Sequence, residues 1–318
     1  MVKINSPIPK GIPGYEFVKM EPLILNVDRC FDDVKYYAET SDGRKFSLLI
    51  AEPSLYERRK TITEYMALAV AQGVSMCRPI ELGFFNGGKY IYELTTWCEG
   101  IDLGSRIPVL SEPEKYIVGI NTGIVLQRLH SVSAPDGLED WFVKYHNYLA
   151  ERMYLSLNHG VVNIRIENHI KIIYYFMDNK HLLKGRPQTL RHGDFNDGNI
   201  IVSDNLDISV IDWTLMEHGH NYGDPWEEFT RLLGADTNPY FGTGLLRGYF
   251  GGEPPEELWA LLALYLSAMS LIYLTHKFYG DFSQEYRDES VQDVIDTLLC
   301  FDNMCNPVPT WYLKDYIA

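Results

Sequence analysis

A chain of 318 residues with 28 Lys and Arg against 43 Asp and Glu carries a formal net charge of −15. That balance argues against nucleic acid as a partner, since phosphate backbones are held by clustered Lys and Arg, and it suits a cationic or amine-bearing ligand. With 46% hydrophobic residues, the chain can build one large domain or two lobes around a cleft.

The cysteines, Cys30, Cys77, Cys98, Cys300 and Cys305, are scattered and show no Cys-x-x-Cys spacing. A disulfide framework or a zinc site is not expected, and a reducing cytoplasm is the expected location. The N-terminal stretch lacks the apolar region of a signal peptide.

In chain order, Val34–Thr40 and Arg44–Glu52 flank Ser41-Asp42-Gly43 and read as an antiparallel hairpin. Glu57–Gly73 places Ile62, Met66, Ala69 and Val70 at helical spacing, with Gly73 as a stop. Lys89–Trp97 reads as another strand. Beyond position 100 helical patterns take over, at Glu114–Val132, Val162–Leu183, Pro254–Phe278 and Asp288–Met304. Within the third, Leu258–Leu274 would reach about 25 Å as a helix, against about 30 Å of hydrocarbon in a bilayer. It also carries Ser267 and Ser270, so a buried core helix is expected and no membrane partner. The change in pattern near residue 95 predicts an α+β chain with a small sheet-rich lobe, a connector at 95–100, and a larger helical lobe. A ligand is expected in the cleft between them.

Leu190–Trp213 is the clear strand signal of the helical half: "LRHGDFNDGNIIVSDNLDISVIDW". It reads as loop, strand, turn, strand. A turn centred on Asp204 and Asn205 sets residue 199 opposite about 210. Asn199 and Asp212 then share one end of the hairpin, and Asp194 lies in the loop feeding it. An Asp and an Asn side by side suit a hard cation such as Mg²⁺, which takes few protein oxygens and leaves room for phosphate. A further Asp that does not ligate the metal can accept a proton from a hydroxyl. Positioning, a base and charge neutralisation are what phosphoryl transfer asks of a protein.

Two further groups stand out. His218, His220 and Asp224 form a pattern that a transition metal could use, although a glycine-rich surface loop fits it too. Asp224 before Pro225 suits a turn or helix start, and Asp224, Glu227 and Glu228 are candidates to meet a cationic substrate group.

His192-Gly193-Asp194, then Asn199, then Ile211-Asp212-Trp213 resemble the catalytic and metal motifs of the aminoglycoside phosphotransferase family, relatives of choline kinases and, more distantly, of protein kinases. Asn221–Leu232, the Glu64-bearing helix and the Asn306–Tyr316 tail are similar to that family as well, the last to a bacterial subgroup of unassigned substrate. The resemblance implies a two-lobed, protein-kinase-like fold with an antiparallel N-lobe over residues 1–95 and a helical C-lobe over 96–318. It implies Asp194 as catalytic base, His192 as the residue orienting the catalytic loop, and Asn199 and Asp212 as Mg²⁺ ligands. It also implies Glu64 as the N-lobe helix acid, a hinge at Thr96, Trp97 and Cys98 that binds a purine, and ATP or GTP as co-substrate. The acceptor would be the hydroxyl of a small, amine-bearing molecule, such as an aminoglycoside or an amino alcohol.

The pattern departs from the family in two places. Ile24–Tyr37 contains no Gly-x-Gly-x-x-Gly. More seriously, the third strand should offer a Lys to the phosphates and to Glu64, and that position holds Leu49. Lys45 shares the parity of Leu49 but sits about 13 Å away along a strand. Lys35 on the neighbouring strand is another candidate, although a solvated strand lysine is the more ordinary reading of it. The gap keeps open a second class of function, a degenerate kinase that binds a nucleotide or a partner without turnover.

Overall fold

The computed structural model describes residues 12, 14–23, 33–158, 166–216 and 219–317. Strands β1 (Phe17–Pro22), β2 (Asp33–Thr40), β3 (Lys45–Ala51), β4 (Pro79–Phe85) and β5 (Tyr90–Thr96) form one antiparallel sheet in the order β1-β2-β3-β5-β4. The β2–β3 turn is the expected one: Gly43 (φ 82°) donates to Thr40 O at 2.9 Å. Period-two alternation gives the sheet two different faces. Tyr36, Ala38, Phe46, Leu48, Ile50, Tyr92 and Leu94 form the apolar core of one face. Lys35, Ser47, Leu49, Glu93 and Thr95 occupy the other and line a cleft.

Helix α1 (Tyr56–Ala71) joins β3 to β4 and buries Ile62, Met66 and Ala69, as their spacing predicts; Gly73 (φ 73°) ends the segment. After β5 the chain enters the helical region through β6 (Ile101–Asp102) and a single turn, α2 (Leu103–Arg106). Helix α3 (Glu112–Leu129) opens with a Ser111/Glu114 capping box. It is followed by α4 (Trp141–Asn158) and α5 (His169–Asn179). The expectation that this last helix begins at Val162 is corrected: Asn168 at φ 68° precedes it, and 159–165 lie outside the described residues. Short strands β7 (Thr189–Leu190), β8 (Ile200–Val202), β9 (Ile208–Val210) and β10 (Tyr222–Gly223) come next, then α6 (Pro239–Phe250), α7 (Glu256–Tyr279) and α8 (Gln284–Cys300). Helix α8 stops before Asp302, Asn303 and Met304, whose φ angles of 48°, 53° and 65° are left-handed.

Among the described residues one helix is long and apolar enough to cross a membrane, Glu256–Phe278, and 83% of its 18-residue apolar window is buried inside the fold. It is the core helix the composition predicts, with Leu258, Leu262, Leu266, Leu271 and Leu274 in the main hydrophobic cluster. Helices α3 and α6 meet through glycines. A Cβ on Gly123 would lie 2.1 Å from Leu245 O, and one on Gly248 2.2 Å from Ile120 O, so only hydrogen fits there. The tail packs onto the same region: Tyr312 meets Trp259 at 4.5 Å, and Leu313 N–H donates to Thr243 Oγ1 at 2.9 Å.

The sheet and the helical region are joined by more than the connector. Cys77 N–H donates to Val210 O at 3.0 Å, and Val210 N–H to Ser75 O at 2.9 Å. The segment after α1 thus runs beside β9. The architecture is two-lobed α+β, with the cleft where β9 ends.

Candidate active site

Leu190–Trp213 folds as loop, strand, turn, strand. Ile200 faces Val210 and Val202 faces Ile208, and Ile211 N–H donates to Asn199 O at 2.9 Å. Position 199 therefore opposes 211, one residue from the expected partner. The cause is the turn: Asp204–Leu206 takes three residues, with Leu206 left-handed at φ 65°, and Ser203 pairs with Asp207.

Asp212 follows the ladder directly with φ 61°. Non-glycine residues rarely adopt that region, and Asp is among those that tolerate it best. Its carboxylate reaches the cleft wall beside Asn199. Asn199 is 9% exposed, and its Nδ2 donates to Asp194 O at 2.9 Å and Asp194 Oδ2 at 3.0 Å. The Asn199 amide N–H groups are thus spent on Asp194, which holds that residue in place. The three residues that the motif singles out do converge at one end of one hairpin.

His192 is fully buried, its ring tilted against Trp213 with centroids 4.9 Å apart, and its Nδ1 accepts from Asp194 N–H at 3.3 Å. Burial lowers its pKa, against the opposing pull of Glu228 and Asp194, so the ring is a neutral wedge under the loop. Glu228 holds the same loop from below, accepting His192 N–H at 3.2 Å and Gly193 N–H at 3.0 Å, and it bonds His130 Nε2 at 3.0 Å. Burial would raise the Glu228 carboxyl, but the His130 bond and nearby cations outweigh it and hold it below the usual range. Asn221 Nδ2 completes the support by donating to Arg191 O, His192 O and Thr214 O at 3.2, 3.1 and 2.8 Å. Sequence reasoning assigned Asn221 no role, although it opens the Asn-Tyr-Gly-Asp-Pro segment noticed there.

The acidic candidates for a substrate amine are corrected. Asp224 is 0% exposed and bound to Arg186 Nε at 2.5 Å, Tyr265 Oη at 2.7 Å and Trp226 N–H at 2.9 Å. Glu227 is buried in an ion pair with Arg191, and Glu228 serves the catalytic loop. All are scaffolding, and Asp224 caps its helix start as Asp-Pro suggests. The metal pattern fails for the same reason, because Asp224 has its acceptors engaged. His218 lies outside the described residues, and no cluster of His, Cys, Asp and Glu with metal-holding geometry occurs among the described ones.

The N-lobe departs furthest from expectation. Glu64 is exposed on α1 and does not line the cleft. Leu49 does line it, flanked in register by Lys35 on β2 and Glu93 on β5. Lys35 is no solvated lysine: its side chain is 13% exposed and its ammonium pairs with the Asp212 carboxylate. The charged side chain that α1 does send to the cleft is Arg59, bound to Asp33 Oδ2 at 2.5 Å and Glu93 Oε2 at 3.5 Å. Burial raises the Glu93 pKa, while Arg59 and Lys35 oppose the rise.

The cleft encloses about 660 Å³, within the range of nucleotide-sized pockets. Besides Lys35, Arg59, Glu93, Asn199 and Asp212, its wall includes Thr96, Trp97 and Cys98. Thr96 N–H donates to Arg78 O at 3.0 Å and Trp97 N–H to Lys45 O at 3.1 Å, and the Trp97 ring meets Tyr37 edge-on at 4.9 Å. Burial pushes the Cys98 thiol up to about 11, so it is an inert wall group.

Similar architectures are known. APH(2")-IIia in complex with GDP and kanamycin superposes with a TM-score of 0.62 at 13% identity, over 91% of this chain and 95% of that one. The macrolide 2'-phosphotransferase MphH from Brachybacterium faecium gives 0.60 at 17%, over 88% and 93%. A putative fructosamine-3-kinase from Haemophilus somnus 129PT gives 0.57 at 13%, over 89% and 92%. These likenesses establish the fold. No curated protein matches by sequence. The profile of the phosphotransferase enzyme family (APH) matches residues 27–263, and with Asn199 and Ile211-Asp212-Trp213 on the cleft wall and Asp194 hydrogen-bonded to Asn199, the chain belongs to that family of enzymes.

Proposed function

We propose that the protein transfers the γ-phosphoryl group of ATP or GTP to the hydroxyl of a small molecule, with Mg²⁺ held by Asn199 Oδ1 and the Asp212 carboxylate. The observation that carries the proposal is the placement of Asn199 and Asp212 at one hairpin end on the wall of a nucleotide-sized cleft, with Asp194 hydrogen-bonded to the Asn199 amide. An amide oxygen and a carboxylate on one wall fit Mg²⁺, which keeps several waters and phosphate oxygens as its other ligands. When bound, the metal would neutralise charge building on the phosphates.

The chain's own residues have separate tasks. Asp194 takes the proton of the attacking hydroxyl, and the Asn199 amide keeps its carboxylate turned toward that proton. His192, Glu228 and Asn221 hold the loop rigid, so little reorganisation is needed as charge develops. The base lies along the hinge. With the Thr96 and Trp97 N–H groups engaged in the sheet, the Cys98 backbone is the remaining contact for a purine. The lobes divide at this hinge, near residues 95 and 96. Scattered reduced cysteines suit a cytoplasmic location.

The acceptor is the less constrained half. Once Asp224, Glu227 and Glu228 are assigned to the scaffold, an amine-bearing acceptor rests on the net charge alone. The test is a nucleotide-consumption screen with Mg²⁺ across hydroxylated amines and uncharged polyols, with phosphorylated product identified by mass. Transfer to any member supports the reading. Mg²⁺-dependent nucleotide binding without transfer to any acceptor supports the binding-only alternative.

A further inference from the structure

A phosphotransferase of this architecture needs a cation over the nucleotide phosphates, and β3, where the family resemblance places it, offers none. Leu49 is 4% exposed and packed with Ala51, Ile91, Leu55 and Tyr56. Lys45, further along β3, is bound at the outer edge to Glu99 Oε1 at 2.5 Å. Among the described residues the basic side chains on the cleft wall are Lys35 and Arg59.

These two differ in what surrounds them. Arg59 has two carboxylates, Asp33 and Glu93, within 3.5 Å or less. Its charge is more than matched, and its guanidinium serves as a strut between α1 and the sheet. Lys35 faces Asp212, the carboxylate proposed above to take the metal. Lys35, Leu49 and Glu93 lie in one row across β2, β3 and β5, with their side chains on the same face. Adjacent antiparallel strands bring such Cα atoms within about 5 Å. A lysine stem spans a similar distance, so an ammonium rooted one strand over can serve the same space.

We propose that Lys35, from β2, is the phosphate-binding cation of this site, and that the usual polarity between α1 and the sheet is reversed, Arg59 being the cation and Asp33 with Glu93 the anions. The inference rests on the nucleotide-dependent reading above. With the metal absent, Lys35 and Asp212 neutralise each other. With Asp212 engaged by a divalent ion, the Lys35 ammonium would be released to reach the phosphate oxygens of the nucleotide. Glu64 then has no cation to meet, in accord with its exposure.

The test separates phosphate contact from general support of the cleft. Affinities for the triphosphate, the diphosphate and the nucleoside of whichever base the wild type binds are measured by calorimetry with Mg²⁺. Lys35→Met is expected to weaken tri- and diphosphate binding by at least about tenfold, while nucleoside affinity stays within about twofold. Lys35→Arg should recover part of the loss. Nucleoside binding also reports that the variant is folded. Unchanged triphosphate affinity in Lys35→Met, or an equal loss for all three ligands, overturns the assignment. Absence of nucleotide binding by the wild type overturns the phosphotransferase reading and this inference together.

Discussion

The two walls of the cleft are built on different logic. The helical lobe supplies Asp194, Asn199 and Asp212 from one continuous stretch, and a single turn sets their relation. The sheet lobe supplies Lys35, Leu49, Glu93 and Arg59 from three strands and a helix. On the first wall, sequence order and spatial order agree. On the second, position along the chain says little until strand register is known. Function can therefore move between neighbouring strands on the sheet side without disturbing the geometry, whereas the hairpin tolerates no such exchange.

The sharpest way to break the comparison is at the hairpin. Asp194→Ala should reduce phosphoryl transfer by roughly a thousandfold, in line with loss of a general base, and leave Mg²⁺-nucleotide affinity within about threefold. Rapid-quench or product assays beside calorimetry check this, and equal loss of both would place Asp194 in binding instead. The sheet side should be more forgiving. Moving the lysine along its row, as Lys35→Leu with Leu49→Lys, should recover a measurable part of the tenfold affinity lost in Lys35→Met. No recovery in a folded double variant would show that the row is not interchangeable.

A pH test addresses the rigidity of the catalytic loop. Burial lowers the His192 pKa from its ordinary 6.5, so the unfolded chain binds a proton more readily than the native one. Stability should then fall as pH drops below about 6.5. Urea midpoints between pH 7 and pH 5 should slope more steeply for the wild type than for His192→Asn. Parallel slopes would count against a neutral, wedged imidazole. The smallest effect is expected at Glu64. Glu64→Ala should change stability by less than about 0.5 kcal/mol and nucleotide affinity by less than about twofold. A large loss in that variant would restore the helix acid implied by the family and undercut the reversed polarity.

These contrasts explain what the sequence made legible. Strands β2, β3 and β5, helices α1, α3 and α7, and the convergence of Asp194, Asn199 and Asp212 follow from local periodicity and from a motif confined to a short span. The one-residue error in hairpin register came from Leu206, a left-handed position that nothing about leucine announces. Lys35 could be named only as a candidate, because a lysine on a half-exposed strand looks the same whether it meets water or a carboxylate distant in sequence. Asp224, Glu227 and Glu228 were misjudged for a related reason. First-turn acids are usually exposed, and their partners Arg186, Arg191, His130 and Tyr265 come from three separate segments. The glycine contact between α3 and α6 did leave a trace in Gly119-x-x-x-Gly123 and Gly244-x-x-x-Gly248, but such spacing acquires meaning only when both helices are placed.

That contact has a mechanical corollary. Between Gly119 and Gly123 the same helix carries Asn121, whose Nδ2 donates to Leu206 O at 2.9 Å, at the tip of the β8–β9 hairpin. One rod thus touches bare backbone on one side and the far end of the β8–β9 ribbon on another. A methyl group added at Gly123 would not merely loosen the bundle. It would lever the ribbon from its distal tip, so alterations remote from every reacting atom could detune turnover in this enzyme.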